Sequence, residues 1–233
     1  MSVSSDRTGR VAVVTGGAGA IGGAIVERLA VDHTVVVLGF DGDVQVDLAD
    51  AEAVRRAARE VLSEYGRVDV LVHAAAMVAF TPIDEIDLDV WRQVHAVNVE
   101  SALLLTQAFV PGMRERGFGR LIFVVSNTFW RPAGGHQIAY VASKGALIGM
   151  MRTMAVGLGA DGIAAMAVAP GLTRTPATTV VPAEEFEDVA AHQSLPRPLI
   201  PDDTAAVVAM LARDDAAAMT GQTLIADGGL VLR

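Results

Sequence analysis

Short apolar runs alternate with amphipathic stretches along the whole chain, and that alternation leaves few folds open. Val11–Thr15, Thr34–Leu38, Val68–His73, Leu121–Ser126, Ala164–Ala169 and Thr223–Ala226 read as strands, each rich in apolar residues. Runs of this length and density suit strands covered on both faces. Between them, Ile21–Ala30, Ala51–Tyr65, Leu88–Arg116, Tyr140–Gly159 and Asp202–Ala212 carry helical periodicity. Strand–helix alternation predicts an α/β fold, a doubly wound parallel sheet with helices on both faces. Hydrophobic residues make up 52% of the chain but aromatics only 5%, so Ala, Val, Leu and Ile must fill the core. No repeat, low-complexity tract or linker divides the 233 residues, and they read as a single domain.

Two segments break the rhythm. Only Phe40-Asp41-Gly42-Asp43 separates the second strand from Val44-Gln45-Val46, so that crossover must be a loop or single turn. Thr173 to Pro201 is punctuated by prolines and carries an acidic patch at Glu184-Glu185. It reads as an excursion outside the sheet, of the kind that covers a substrate.

A net charge of −9 with scattered arginines argues against nucleic-acid or anionic-membrane partners. With no cysteine, disulfides, thiol catalysis and thiolate metal sites are excluded. Met1 to Arg10 is polar and lacks an apolar signal core, and the uncharged stretch Val11 to Val26 is too short to span a bilayer. The expectation is a soluble, cytoplasmic protein. The five histidines share no ligand spacing, so no metal site is expected. His136 and His192 read as ordinary loop residues, with a place in the substrate pocket as the second reading.

The chemistry concentrates at Tyr140-Val141-Ala142-Ser143-Lys144, where Lys144 is the only lysine and every other basic residue is arginine. An ammonium is a compact point charge with three donors, which a guanidinium fork does not replace. Residues four apart share a helix face. At about 4 Å and an effective dielectric near 20 the attraction is about 4 kcal/mol, enough to pull the phenol pKa well below its usual value. A phenol tuned that way exchanges protons near neutral pH, as alcohol–carbonyl redox chemistry requires.

At the other end, Thr15-Gly16-Gly17-Ala18-Gly19-Ala20-Ile21-Gly22 joins the first strand to the first helix. Glycines let a pyrophosphate approach the backbone, and a helix N-terminus offers free N–H groups. Asp41 and Asp43 are the candidates to bond ribose hydroxyls after the second strand, and no basic residue lies beside them. That favours NAD over NADP.

Together these motifs resemble the short-chain dehydrogenase/reductase family over essentially the whole chain, which implies a Rossmann-like fold. The family's glycine turn falls on Thr15 to Gly22, with Gly16, Ala20, Ile21 and Gly22 toward the cofactor, and its adenine-bracketing pair on Asp47-Leu48. Its Asn-Asn-Ala-Gly segment falls on His73-Ala74-Ala75-Ala76, and its mid-helix asparagine on Asn98. Its Tyr-x-x-x-Lys falls on Tyr140 and Lys144. Its nicotinamide-side turn falls on Pro170-Gly171-Leu172, with Thr173 and Thr175 placed to bond the cofactor. The closing strand resembles Thr220-Gly221-Gln222 and Asp227-Gly228-Gly229.

Three positions depart from that pattern. Ala20 stands where the turn has its middle glycine, and His73 to Ala76 lacks both asparagines. The serine usually thirteen residues before the tyrosine is Asn127 here, with Ser126 one place earlier. One residue inserted between Arg131 and His136 accounts for the shift. Only Ser or Thr both accepts and donates comfortably, which points to Ser126 with Thr128 second.

The resemblance implies an oxidoreductase acting on an alcohol or ketone. Tyr140 would be the acid/base and Ser126 would orient the substrate oxygen. Lys144 would hold the ribose and depress the tyrosine pKa, and Asn98 would position a relay water. It also implies a homotetramer or dimer. The pattern around Ser126, with Phe129 and Trp130 beyond it, is nearest to members acting on aromatic or heteroaromatic alcohols. Competing readings are a reductase of 3-oxoacyl thioesters or polyketides, and a cofactor-binding regulator or scaffold without catalysis.

Overall fold

The computed structural model describes residues 9–179 and 181–232. The polar start of the chain, Met1 to Thr8, lies outside the described residues. Seven parallel strands form one sheet in the order β3-β2-β1-β4-β5-β6-β7. They are β1 (Val11–Thr15), β2 (Thr34–Gly39), β3 (Val44–Gln45), β4 (Val70–His73), β5 (Gly119–Val124), β6 (Ile163–Pro170) and β7 (Thr223–Ala226). The expected doubly wound sheet is therefore present, and the short crossover before β3 holds no helix.

Alternate residues of each strand feed opposite cores, as a pleated sheet covered on both faces requires. Val13, Leu71, Leu121 and Phe123 pack with α2 (Ala51–Tyr65), α4 (Ser101–Arg116) and α5 (Ile138–Leu158). Val14, Val72, Ile122 and Val124 face the other way, onto α1 (Ala20–Leu29) and α7 (Pro201–Leu211). The strand order reverses between β1 and β4. In such sheets ligands bind at that point, in the crevice outside the carboxyl ends of the strands.

The helix expected over Leu88–Arg116 is not continuous. It runs as α3 (Leu88–His95), a π turn over Ala96–Glu100, and then α4. The Ser101 N–H reaches back five residues to the Ala96 carbonyl, and the Ser101 hydroxyl takes the Val97 carbonyl at 2.6 Å. Asn98 sits in the widened turn, where its side chain is held from outside the helix. The 173–201 segment contains a further helix, α6 (Ala183–Ala191), which its mixed polarity did not reveal. Among the described residues no helix is long and apolar enough to cross a membrane.

Candidate active site

A cleft of about 1280 Å³ opens at the switch point and joins the two ends of the sequence argument. Gly16, Ala20, Ile21, Gly22, Asp41, Asp47, Leu48, Ala74, Ala75 and Ala76 line one part of it. Ser126, Tyr140, Lys144, Pro170, Gly171, Leu172, Thr173 and Thr175 line the rest. Asn98 is fully buried behind the wall rather than on it.

The glycine turn has the shape a pyrophosphate needs. A Cβ on Gly22 would stand 2.1 Å from the Gly16 carbonyl oxygen, so the turn closes only with glycine there. Gly16 has φ +70° and passes so close to β4 that a Cβ would meet the Ala75 Cα at 2.8 Å. α2 is capped by the Asp50 carboxylate, which accepts from Glu52 and Ala53 N–H. α1 has no capping side chain. Its first-turn N–H groups therefore stay available at the positive end of the helix. These features fit a bound dinucleotide phosphate.

The structure separates the two ribose candidates. The Asp43 carboxylate accepts the Val37 N–H at 2.8 Å and so closes its own loop. Asp41 is exposed and lines the cleft. Gly42 between them is tight, since a Cβ would lie 2.4 Å from the Val37 carbonyl. Asp47 accepts the Ala49 N–H at 2.9 Å, which turns the chain so that Leu48 is buried beneath the cleft edge.

At the far side, β5 delivers Ser126 in an extended conformation. Its hydroxyl oxygen accepts the Thr128 N–H at 3.2 Å and the Thr128 hydroxyl at 2.8 Å. Both lone pairs are thereby engaged, and the Ser126 proton is left to donate. Asn127, also on the cleft wall, donates its amide to Asp227 at 3.1 Å, tying the end of β5 to the end of β7. Ser126 and Thr128 both line the cleft with Tyr140, and the Thr128 hydroxyl is the one bonded to Ser126.

Lys144 is 1% exposed, with its Nζ donating to the Val124 carbonyl at 2.7 Å and standing 5.5 Å from the Tyr140 ring centroid. Burial pushes this ammonium down to about 7. The expected depression of the Tyr140 pKa does not appear. Burial pushes the phenol up, and the Ser126 hydrogen bond pulls the other way with less effect. Desolvation penalises both charged forms, and in this buried pair it outweighs the attraction that spacing alone suggests.

Both amide hydrogens of Asn98 and one lone pair of its amide oxygen are engaged. Its amide nitrogen donates to the Met77 carbonyl at 3.0 Å and the Ser143 hydroxyl at 2.9 Å, and its amide oxygen accepts the Met77 N–H at 2.7 Å. Neither amide hydrogen remains for a water. A contact that sequence reasoning missed is His73, read there only as a lost asparagine. It is fully buried between Thr15 and the Asn98 carbonyl. The available signal was a polar ring ending an apolar strand, because such a group must find partners inside the protein.

Phe129 and Trp130 do not line the cleft. They pack edge to face at 5.1 Å, and Phe129 lies against α5 at Gly145. Phe40, Phe80 and Tyr140 are the aromatic residues that line it, with Phe80 paired with His136 at 5.6 Å. His192 lies outside the cleft and bonds the Asp188 carbonyl.

Known proteins are similar to this chain in sequence and in fold. The sequence family described as enoyl-(acyl carrier protein) reductase matches residues 10–231. Dehydrogenase/reductase SDR family member 4 of Oryctolagus cuniculus is 30% identical over 246 residues, covering 94% of this chain and 93% of its own. Acetoacetyl-CoA reductase of Allochromatium vinosum is 30% identical over 244 residues, covering 96% and 99%. A candidate NAD(P)-dependent gluconate 5-dehydrogenase from Beutenbergia cavernae, solved with bound NADP at low occupancy, superposes with a TM-score of 0.88. It is 33% identical, and the match covers 96% of this chain and 97% of that one.

Proposed function

The chain belongs to the short-chain dehydrogenase/reductase family, and from that premise we propose that its cleft interconverts a secondary alcohol and a ketone with NAD as the cofactor. The observation that carries the reading is the meeting of Ser126, Tyr140 and Lys144 in one cleft with an uncapped, glycine-lined helix start. When bound, the nicotinamide supplies or accepts the hydride. Gly16, Ala20, Ile21 and Gly22 hold its phosphates, Asp41 its ribose hydroxyls, and Asp47-Leu48 with Ala74 to Ala76 the adenosine half. Pro170 to Thr173 and Thr175 hold the nicotinamide half.

Ser126 donates its hydroxyl proton to the substrate oxygen. Tyr140 gives that oxygen a proton in reduction and removes it in oxidation. The Lys144 ammonium, which keeps donors to spare beside its bond to Val124, would bond the cofactor ribose and offset the burial that opposes the phenolate. Asn98 keeps the wall behind them in register and positions the relay water through an oxygen, since both its amide hydrogens are engaged. Asp41, with no cation beside it, disfavours a 2′-phosphate and supports NAD.

The substrate end is walled by Val78, Phe80, Leu172, Val181 and Val189. That apolar wall, with Phe80 on it, suits an aromatic or cyclic alcohol. The match to an acetoacetyl-CoA reductase supports a second reading, reduction of a 3-oxoacyl thioester. Residues 173–201 act as the lid. A cytoplasmic homotetramer or dimer joined through α4 and α5 fits the outer face of α5, where Val156 is 88% exposed and Gly149 and Gly157 have open space.

The test follows nicotinamide absorbance across secondary alcohols, aromatic alcohols, ketones and a 3-oxoacyl thioester, with NAD(H) and NADP(H) side by side. Turnover of a secondary alcohol with NAD is expected. Tight cofactor binding with no turnover of any compound would support a regulator or scaffold instead.

A further inference from the structure

His73 is a buried ring for which the reaction has no direct use, and its surroundings form an unbroken path. The Thr15 hydroxyl oxygen accepts the Ala74 and Ala75 N–H groups, each at 3.1 Å. The His73 Nδ1 lies 3.0 Å from that hydroxyl, and its Nε2 lies 3.1 Å from the Asn98 carbonyl oxygen. A carbonyl only accepts, so Nε2 carries the proton and Nδ1 accepts from Thr15. The Asn98 amide then donates to the Ser143 hydroxyl at 2.9 Å, and Ser143 donates to the Tyr140 carbonyl at 2.7 Å. Thr15, His73, Asn98 and Ser143 are all fully buried.

We propose that His73 is a positioning residue, the joint of a buried hydrogen-bond chain that couples the cofactor turn at Thr15 to the backbone of Tyr140. One end of the chain sets the approach of Gly16 to Ala75, where the space is closed to any Cβ. The other end sets the first turns of α5, which carry both Tyr140 and Lys144. The chain ends on a carbonyl, so it transmits position and moves no proton. A neutral ring suits this task, and burial together with the Lys144 charge pushes the His73 pKa down to about 3. The proposal rests on the dehydrogenase reading of the cleft.

The test compares wild type, His73→Leu, Ser143→Ala and the double variant. NADH affinity is read from quenching of tryptophan fluorescence, and kcat is measured at saturating cofactor on active-site-titrated protein. For His73→Leu we expect NADH binding and kcat each to weaken about tenfold, the scale of one or two lost buried hydrogen bonds. Ser143→Ala should lower kcat while leaving NADH affinity within twofold. In the double variant the kcat loss should match that of the larger single change, because the chain is already broken. Multiplied losses, or a folded His73→Leu protein with wild-type affinity and kcat, overturn the proposal. A purely structural histidine would lower the melting temperature without moving either constant. If His73→Leu folds poorly, His73→Asn, too short to span both partners, carries the same test. Failure of wild type itself to bind NADH would sink the dehydrogenase reading instead.

Discussion

The floor of the cleft and its rim are built differently. On the floor, Thr15, His73, Asn98, Ser143 and Lys144 have almost no exposed surface, and each has a hydrogen-bond partner within the strand ends or the helices beneath. On the rim, Arg131 to His136 and much of 173–201 are exposed and lie in loops and a short helix. Buried polar groups are costly unless partnered, so the floor tolerates one arrangement and holds its groups rigidly. Surface loops carry no such constraint and are free to differ between proteins with the same chemistry. On the proposed reading, the contrast assigns reaction type to the floor and substrate choice to the rim.

The largest expected break in that contrast is at Ser126. Ser126→Ala should lower kcat about 10²–10³-fold, the scale of losing a positioned donor to the reacting oxygen. Asn127→Ala, one residue on, should leave the chemistry nearly intact, and equal losses at both positions would dissolve the distinction between them. Single-turnover rates with a secondary alcohol decide it.

Next is acid stability of the floor. Below its ordinary pKa of 6.5 His73 binds a proton in the unfolded chain, but in the fold it does so only near about 3. The unfolded state therefore holds more protons between these values, and stability falls as pH drops through that window, by up to about 1.4 kcal/mol per pH unit. His73→Asn removes this slope, so urea midpoints measured from about pH 6.5 to about pH 4.5 should change less than in wild type. Equal slopes would mean that His73 is not held neutral. Lys144, depressed to about 7, adds stability only as pH rises from there toward its ordinary 10.5, outside this window.

A smaller effect separates the two aspartates. Asp41→Ala should reduce the preference for NAD over NADP about tenfold, whereas Asp43→Ala should cost about 1 kcal/mol of stability and little selectivity. Ratios of kcat/KM with the two cofactors, beside thermal unfolding, test both. The smallest belongs to the rim, where Phe80→Ala should raise KM for an aromatic alcohol a few-fold and leave kcat unchanged. A fall in kcat would move Phe80 onto the floor.

Much of this was legible in the sequence because it depends on local pattern. The apolar runs marked six strands, the glycine turn marked the cofactor end, and Tyr-x-x-x-Lys marked the reacting end. Choosing Ser126 over Asn127 rests on the chemistry a hydroxyl can do, since Ser126, Asn127 and Thr128 all line the cleft. The π turn at Asn98 was not legible, because one extra residue in a helical turn leaves the apolar spacing nearly unchanged. The Tyr140 pKa was misjudged for a different reason: charge spacing can be read from sequence, but the desolvation opposing it depends on what covers both groups. His73 was read as a loss because a strand's end does not show which hydroxyl and which carbonyl will meet its ring.

The central claim is that Tyr140 exchanges the proton in a cleft whose cofactor site stands without it. Turnover and NADH affinity of Tyr140→Phe, measured on the same preparation, test it most directly. The account predicts a loss of turnover of about 10²–10⁴-fold with NADH affinity within twofold of wild type. A variant that keeps its rate, or one that loses rate only because NADH no longer binds, would contradict it.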